Sequence, residues 1–250
     1  DVLTVSKGKH SLTFGTQNTF NKFQNGFAPN YNGAYRFASL QDFYNSANNG
    51  TANATRYELR YSARKGGEFP YADVSTLQLG FFAQDKWNVT DNFNLTMGIR
   101  LDVPIFKQDF IANTNADALS FRFGQKIKTG QAPERSFLWS PRVGFNWDVN
   151  GDKMTQLRGG TGIFSGPPPF VWISNQASNN GVDFGSFVRA SGTTAFNPDV
   201  NAYRPANGAA NTAYNLAVSA ENFKFPQIWR SNLAIDQKLP FDITATVEGI

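Results

Sequence analysis

The chain has 250 residues, a formal net charge of +4, 15% aromatic and only 17% charged residues, 24 Phe and no cysteine. The missing cysteine excludes disulfides, Cys-ligated zinc and thiol catalysis. The charge is dispersed rather than gathered into a basic run, which leaves no footprint for nucleic acid. No apolar run approaches the roughly 18 residues of a transmembrane helix, so a membrane protein of this sequence must cross with strands. A mean hydropathy of -0.40 fits that, because alternate residues of such a strand face lipid and lumen.

Nothing in Asp1 to Lys9 resembles a signal peptide, so an exported form would have a mature or internal N-terminus here. Weak strands are expected over His10 to Phe20 and Arg56 to Ala63, with another near Tyr31 to Phe37. The polar stretch Asn21 to Thr55 otherwise reads as a loop, with a helical turn at Ser39 to Ser46.

The clearest signal begins at Ser75. Leu77, Leu79, Phe81, Ala83, Asp85, Trp87 and Val89 share one parity, against Gln78, Gly80, Phe82, Gln84, Lys86 and Asn88 on the other. After a turn at Val89 to Asn92, Phe93, Leu95, Met97, Ile99, Leu101 and Val103 alternate with Asn94, Thr96, Gly98, Arg100 and Asp102. This is a long hairpin with one apolar side. Asp85 on the apolar parity requires a bulge or an interfacial depth. The pattern returns at Pro141, Val143, Phe145, Trp147 and Val149, turns at Asn150-Gly151, and continues through Leu157, Thr161 and Ile163. A third hairpin runs through Trp229, Leu233, Ile235 and Leu239, turns at Pro240, and resumes with Ile243, Ala245 and Val247.

Between the hairpins lie Ile105 to Ser136 and Gly166 to Phe225, rich in Asn, Gly, Ala, Ser and Pro. Loops beyond about 15 residues are uncommon in compact soluble domains, whereas short turns alternating with long loops are the plan of outer-membrane barrels. Strands of about 9 to 13 residues exceed the usual 5 to 6 and suit a tilted crossing of a bilayer. Trp87, Trp147 and Trp229 lie on the apolar parity, and each reads as close to a short turn, as members of an interfacial girdle. The expected fold is therefore all-β, an antiparallel transmembrane β-barrel with long extracellular loops. A soluble β-sandwich or β-helix is the competing fold.

The segment Leu79-Gly80-Phe81-Phe82-Ala83-Gln84-Asp85-Lys86-Trp87 followed by Asn94-Leu95-Thr96-Met97-Gly98-Ile99-Arg100-Leu101-Asp102 resembles a hairpin common in barrels of TonB-dependent outer-membrane receptors. Ser140-Pro141-Arg142-Val143-Gly144, the run Leu157 to Phe164, and Gly8 to Gly15 resemble further strands of the same barrels in the same order. The set is most similar to large receptors of Bacteroidetes-type bacteria, which often carry a carboxypeptidase-regulatory-like domain. The resemblance implies a barrel of about 22 strands filled by a plug domain. It also implies energised uptake of a siderophore, cobalamin, oligosaccharide or peptide, with the TonB complex, outer-membrane lipid and in some members a surface lipoprotein as partners. The 250 residues read as a partial barrel of about 9 to 11 strands without the plug, part of a longer protein.

On that reading Arg100, Asp102, Arg142, Asn146 and Arg158 on the lumen parity are candidates for contact with plug or substrate, or else pair with charges on neighbouring strands. Phe170, Trp172, Phe184, Phe187 and Tyr203 in the last long loop are candidates for gripping a sugar or peptide, or else pack the loop. An enzyme is not expected. His10 is the single histidine, so no Ser-His-acid set can be assembled around it. Arg158 to Gly162 lacks the Lys-Ser/Thr of a phosphate loop, and the acids show no calcium-loop spacing. No metal or cofactor is implied. A passive porin, adhesin or structural barrel would share the alternation.

Overall fold

A computed structural model describes residues 1–250. In chain order the elements are β1 (Val2–Lys7), β2 (His10–Thr16), β3 (Thr19–Asn25), β4 (Ala34–Arg36), α1 (Leu40–Asn49), β5 (Arg56–Ser62), β6 (Ala72–Thr90) and β7 (Phe93–Phe106). They continue with α2 (Thr114–Asp117), β8 (Leu138–Asp148), β9 (Thr155–Ser165), α3 (Val171–Ser178), β10 (Phe184–Arg189), β11 (Gln227–Lys238) and β12 (Thr244–Gly249). No helix is long and apolar enough to cross a membrane.

Nine strands form one antiparallel wall in the order β1-β2-β6-β7-β8-β9-β11-β12, with β3 also paired to β6. β2 and β3 are two halves of one strand along β6. The pairs run from His10 opposite Trp87 to Thr16 opposite Phe81, and resume in the same register from Thr19 opposite Gln78 to Asn25 opposite Ala72. Gln17 at the break still donates its N–H to the Gly80 carbonyl at 2.8 Å. All the short turns, at Gly8-Lys9, Asp91-Asn92, residues 149–154 and residues 239–243, lie at one end of the wall, and the long connections 26–71, 107–137 and 166–226 lie at the other.

Register carries each apolar parity onto one face. Phe14, Ala83, Ile99 and Pro141 lie in line across β2, β6, β7 and β8. Val143, Thr161 and Ser231 continue that face across β8, β9 and β11. The same face carries Phe81, Met97, Trp139, Trp147, Trp229 and Leu233, all exposed to the surroundings. An apolar face of this kind needs a covering partner, and lipid is the one that an outward-facing barrel wall meets.

The tryptophans mark two levels rather than one, which corrects the sequence reading. Trp87 and Trp147 lie near the short turns, but Trp229 begins β11 beside the long loop and donates Nε1–H to Thr161 Oγ1 at 2.7 Å. Trp139 stands at that same end of β8. Trp139 and Trp147 are eight positions apart on β8. At about 3.4 Å per residue and a tilt near 40°, that is roughly 20 Å along the membrane normal, close to the apolar band of an outer-membrane barrel.

Asp85 requires no bulge, because the β6–β7 register is unbroken from Thr76 to Asn88. It lies near the lower tryptophan level, where its Oδ2 is 2.7 Å from His10 Nδ1 and the imidazole stacks on Trp87 with centroids 5.3 Å apart. Interfacial depth therefore accounts for the acid.

The long connections fold into a second body. β10, β5 and β4 form a separate three-stranded sheet, so the strands expected at Arg56 to Ala63 and Tyr31 to Phe37 belong to the loops and not to the wall. Tyr57 and Leu59 are its core, 2% and 1% exposed. Tyr57 packs on Tyr35 at 4.5 Å and on Tyr203 at 5.3 Å. Burial pushes the Tyr57 phenol up to about 12. The expected helical turn is the full helix α1, with Ser39 Oγ accepting from the Asp42 N–H at 3.1 Å and Gly50 closing it in the left-handed conformation.

Three polar joints bind the connections together. Arg64 donates twice to Asp183, at 2.7 and 3.0 Å, Asn113 Nδ2 donates to the Asn180 carbonyl at 2.9 Å, and Gln176 Nε2 donates to the Gln131 carbonyl at 2.8 Å. Helix α3 rests on the upper lumen parity of β6, where Ile173 and Ala177 cover Ala72 and Val74.

Candidate functional site

The parity opposite the lipid face lines the lumen. It carries Thr13, Gln84, Thr96, Gly98, Arg100, Asp102, Arg142, Asn146, Arg158, Arg230, Asn232 and Asp236. Glycines on this face give long side chains room to lie flat. A Cβ at Gly80 would stand 2.5 Å from Arg100 Nη2 and 2.8 Å from the Gln17 carbonyl, and one at Gly98 would stand 3.2 Å from Arg142 Nε. These side chains therefore cross the neighbouring strand instead of projecting into the lumen.

The three lumen arginines singled out in the sequence have different surroundings. Arg100 forms a two-pronged pair with Asp102 on its own strand, Nε and Nη2 each 2.8 Å from a carboxylate oxygen. Asp102 is 1% exposed and also accepts from Ser165 at 2.9 Å and Gln78 at 3.3 Å. Arg158 reaches Asp236 across β9 and β11 at 2.9 Å, with Glu248 at 3.8 Å. Both arginines are neutralised; Arg158 rivets β9 to β11, whereas the Arg100–Asp102 pair lies within β7 and reaches β6 and β9 through the bonds of Gln78 and Ser165 to Asp102. Asn146 accepts from Gln156 at 2.6 Å in the same layer.

Arg142 is different. Its Nη2 donates to Gln84 Oε1 at 3.2 Å, its buried Nε has no partner, and no carboxylate pairs with it. It lines a cavity of about 330 Å³ with Gln84, Thr96, Gly160, Arg230 and Asn232. Arg230 likewise has no acidic partner among the ion pairs of the chain. Two guanidinium groups without carboxylate partners on one concavity can receive an incoming carboxylate or phosphate. Sequence reading missed Arg230. The available signal was its alternation with Trp229, which puts it on the lumen parity; the structure adds that its register partner is Gly162, which offers no counter-charge.

The loop candidates also separate. Phe170 precedes α3, and its ring meets Phe23 at 5.2 Å and Phe225 at 6.4 Å, so it packs the loop onto the wall. Trp172, the second residue of that helix, is 57% exposed. Phe187 and Tyr203 surround Tyr57 at 6.1 and 5.3 Å. Phe184 carries the Arg60 guanidinium over its ring at 4.1 Å.

A two-faced antiparallel wall with short turns at one end and a folded loop body at the other is the plan of an outer-membrane barrel, and the family model described as an outer membrane beta barrel domain matches residues 1–249. The chain belongs to that family. Membership makes it part of an outer-membrane protein and assigns the exposed apolar face to lipid. No curated protein and no solved structure matches it.

Proposed function

We propose that this outer-membrane domain is part of the wall of a TonB-dependent receptor of a Gram-negative bacterium, taking up a bulky nutrient such as a siderophore, oligosaccharide or peptide. The observation that supports it most is the uncompensated pair Arg142 and Arg230 on the lumen wall. Cations without a carboxylate partner on that wall suit an acidic surface, which a plug domain inside the barrel would present. The loop body leaning over the lumen through α3 fits a receptor that meets its cargo outside. Uptake would then depend on the TonB complex acting on the plug, and a surface lipoprotein over the loops belongs to the same reading.

The second reading, a passive porin, uses the same arginines as anion-attracting lining of an open channel. Full-length protein in planar bilayers separates the two. A receptor shows no steady conductance until Arg142→Glu with Arg230→Glu loosens the plug, whereas a porin conducts in the wild type.

A further inference from the structure

Arg60 in β5 is the loop body's counterpart to Arg142. Its guanidinium makes no hydrogen bond or ion pair in the structure, and it lies over the Phe184 ring at 4.1 Å. Burial lowers its pKa from the ordinary arginine range, with no acid acting against that effect. A half-buried cation whose protein partner is only a ring face keeps its hydrogen-bond donors free for an anion.

The same guanidinium lines a cavity of about 210 Å³ between β5, β10, the C-terminal end of α3 and residues 211–215. The other lining groups are neutral, the polar Asn179, Asn215 and Tyr214 among them beside the apolar Phe184 and Ala213. The rim is rigid. Asn211 Oδ1 accepts the Ser186 N–H at 2.6 Å while its Nδ2 donates to the Ser186 carbonyl at 3.1 Å. Gly181, in the left-handed region, sits so close under Tyr214 that a Cβ would lie 2.4 Å from the ring.

We propose that this cavity binds a carboxylate-bearing sugar unit, with Arg60 forking the carboxylate and Asn179 and Asn215 meeting ring hydroxyls. One planar cation matches one carboxylate in a bidentate pair. Side-chain amides donate and accept at once, as vicinal hydroxyls require, and Tyr214 offers an aromatic face to the C–H side of a sugar ring. The volume is below the roughly 300–1,000 Å³ of sites for drug-sized ligands, so the site takes one ring and not a whole siderophore or oligopeptide. The inference deepens the uptake reading by naming a cargo class, an acidic saccharide, and it rests on that reading only for the fate of the bound sugar.

The test is isothermal titration of the detergent-solubilised full-length protein with glucuronate, glucose and inorganic phosphate. Glucuronate is expected to bind saturably, with glucose and phosphate at least about tenfold weaker. Arg60→Gln should weaken glucuronate roughly 10- to 100-fold, the loss of a charge-assisted pair, and Asn215→Ala should weaken it less. Arg60→Lys keeps the charge over Phe184 and guards against a folding defect; it should fall between wild type and Arg60→Gln. The proposal is overturned by absence of glucuronate binding, by equal affinity for glucose or for phosphate, or by an Arg60→Lys variant that binds like wild type. None of these results needs TonB, so failure here leaves the uptake reading standing, and TonB-independent transport would leave the sugar site standing.

Discussion

The wall and the loop body are built from similar residues and held together by different physics. In the wall, backbone ladders and a strict two-residue period do most of the work, and polar groups lock strands from the lumen side, through the Arg158–Asp236 pair and through Gln78 and Ser165 bonded to the Arg100-paired Asp102. In the loop body the ladders are short, and order comes from a buried aromatic cluster around Tyr57 and from Arg64–Asp183 joining two distant connections. The solvent explains the difference. Lipid permits no unpaired backbone, so the wall must be regular, whereas chain outside the bilayer tolerates irregularity and leaves polar groups available for ligands.

The contrast can be broken from the wall side first. Arg100→Leu strands a carboxylate that is 1% exposed, and the expected loss is about 3–5 kcal/mol. It should be visible as a lower urea midpoint of the folded band in heat-modifiability gels. Asp102→Asn with Arg100→Leu should recover part of that loss, because no buried charge is then left unpaired. Next, Ile99→Arg on the lipid face should cost roughly 2–4 kcal/mol and reduce insertion into liposomes, while Thr96→Arg, on the lumen parity, should insert almost normally.

The loop body can be broken without touching the wall. Asp183→Asn removes the carboxylate that holds Arg64 at 2.7 and 3.0 Å, at about 1–3 kcal/mol of local stability. Limited proteolysis should then cut within residues 166–226 several-fold faster while the urea midpoint of the wall is unchanged. The smallest effect is alkaline. Because burial holds the Tyr57 phenol at about 12, against about 10 in the unfolded chain, only the unfolded form loses its proton between those values. The stabilising contribution is therefore complete below pH 10 and is lost as pH rises toward 12, so the same protease assay should show loosening in that window and none at neutral pH.

The wall was legible in the sequence wherever one parity was apolar over many residues, as in β6 to β9. β3 escaped because Phe20 and Phe23 sit on opposite faces, Phe20 on the parity of Leu77 and Phe23 inward against Phe170, which cancels the two-residue period. β1 escaped because Val2 and Leu3 are adjacent apolar residues in a six-residue strand. In the loop body, β5 was legible as a strand but not as part of a sheet with β10, since that pairing joins two connections far apart in the chain. The same limit applies to the lumen arginines. Their residue types were readable, but which of them lack a counter-charge depends on registers between strands, so Arg142 could not be told from Arg100, and Arg230 was not singled out.

The central claim is that one parity of the wall faces lipid and the other a water-filled or polar lumen. The chain has no cysteine of its own, so single cysteines at Thr96 and Asn232 on one parity and at Met97 and Leu233 on the other can be labelled in proteoliposomes with a membrane-impermeant maleimide and with a lipid-soluble one. The account predicts that positions 96 and 232 react with the water-soluble reagent and that 97 and 233 react only with the lipid-soluble one. Equal reaction of adjacent positions with the water-soluble reagent would contradict it.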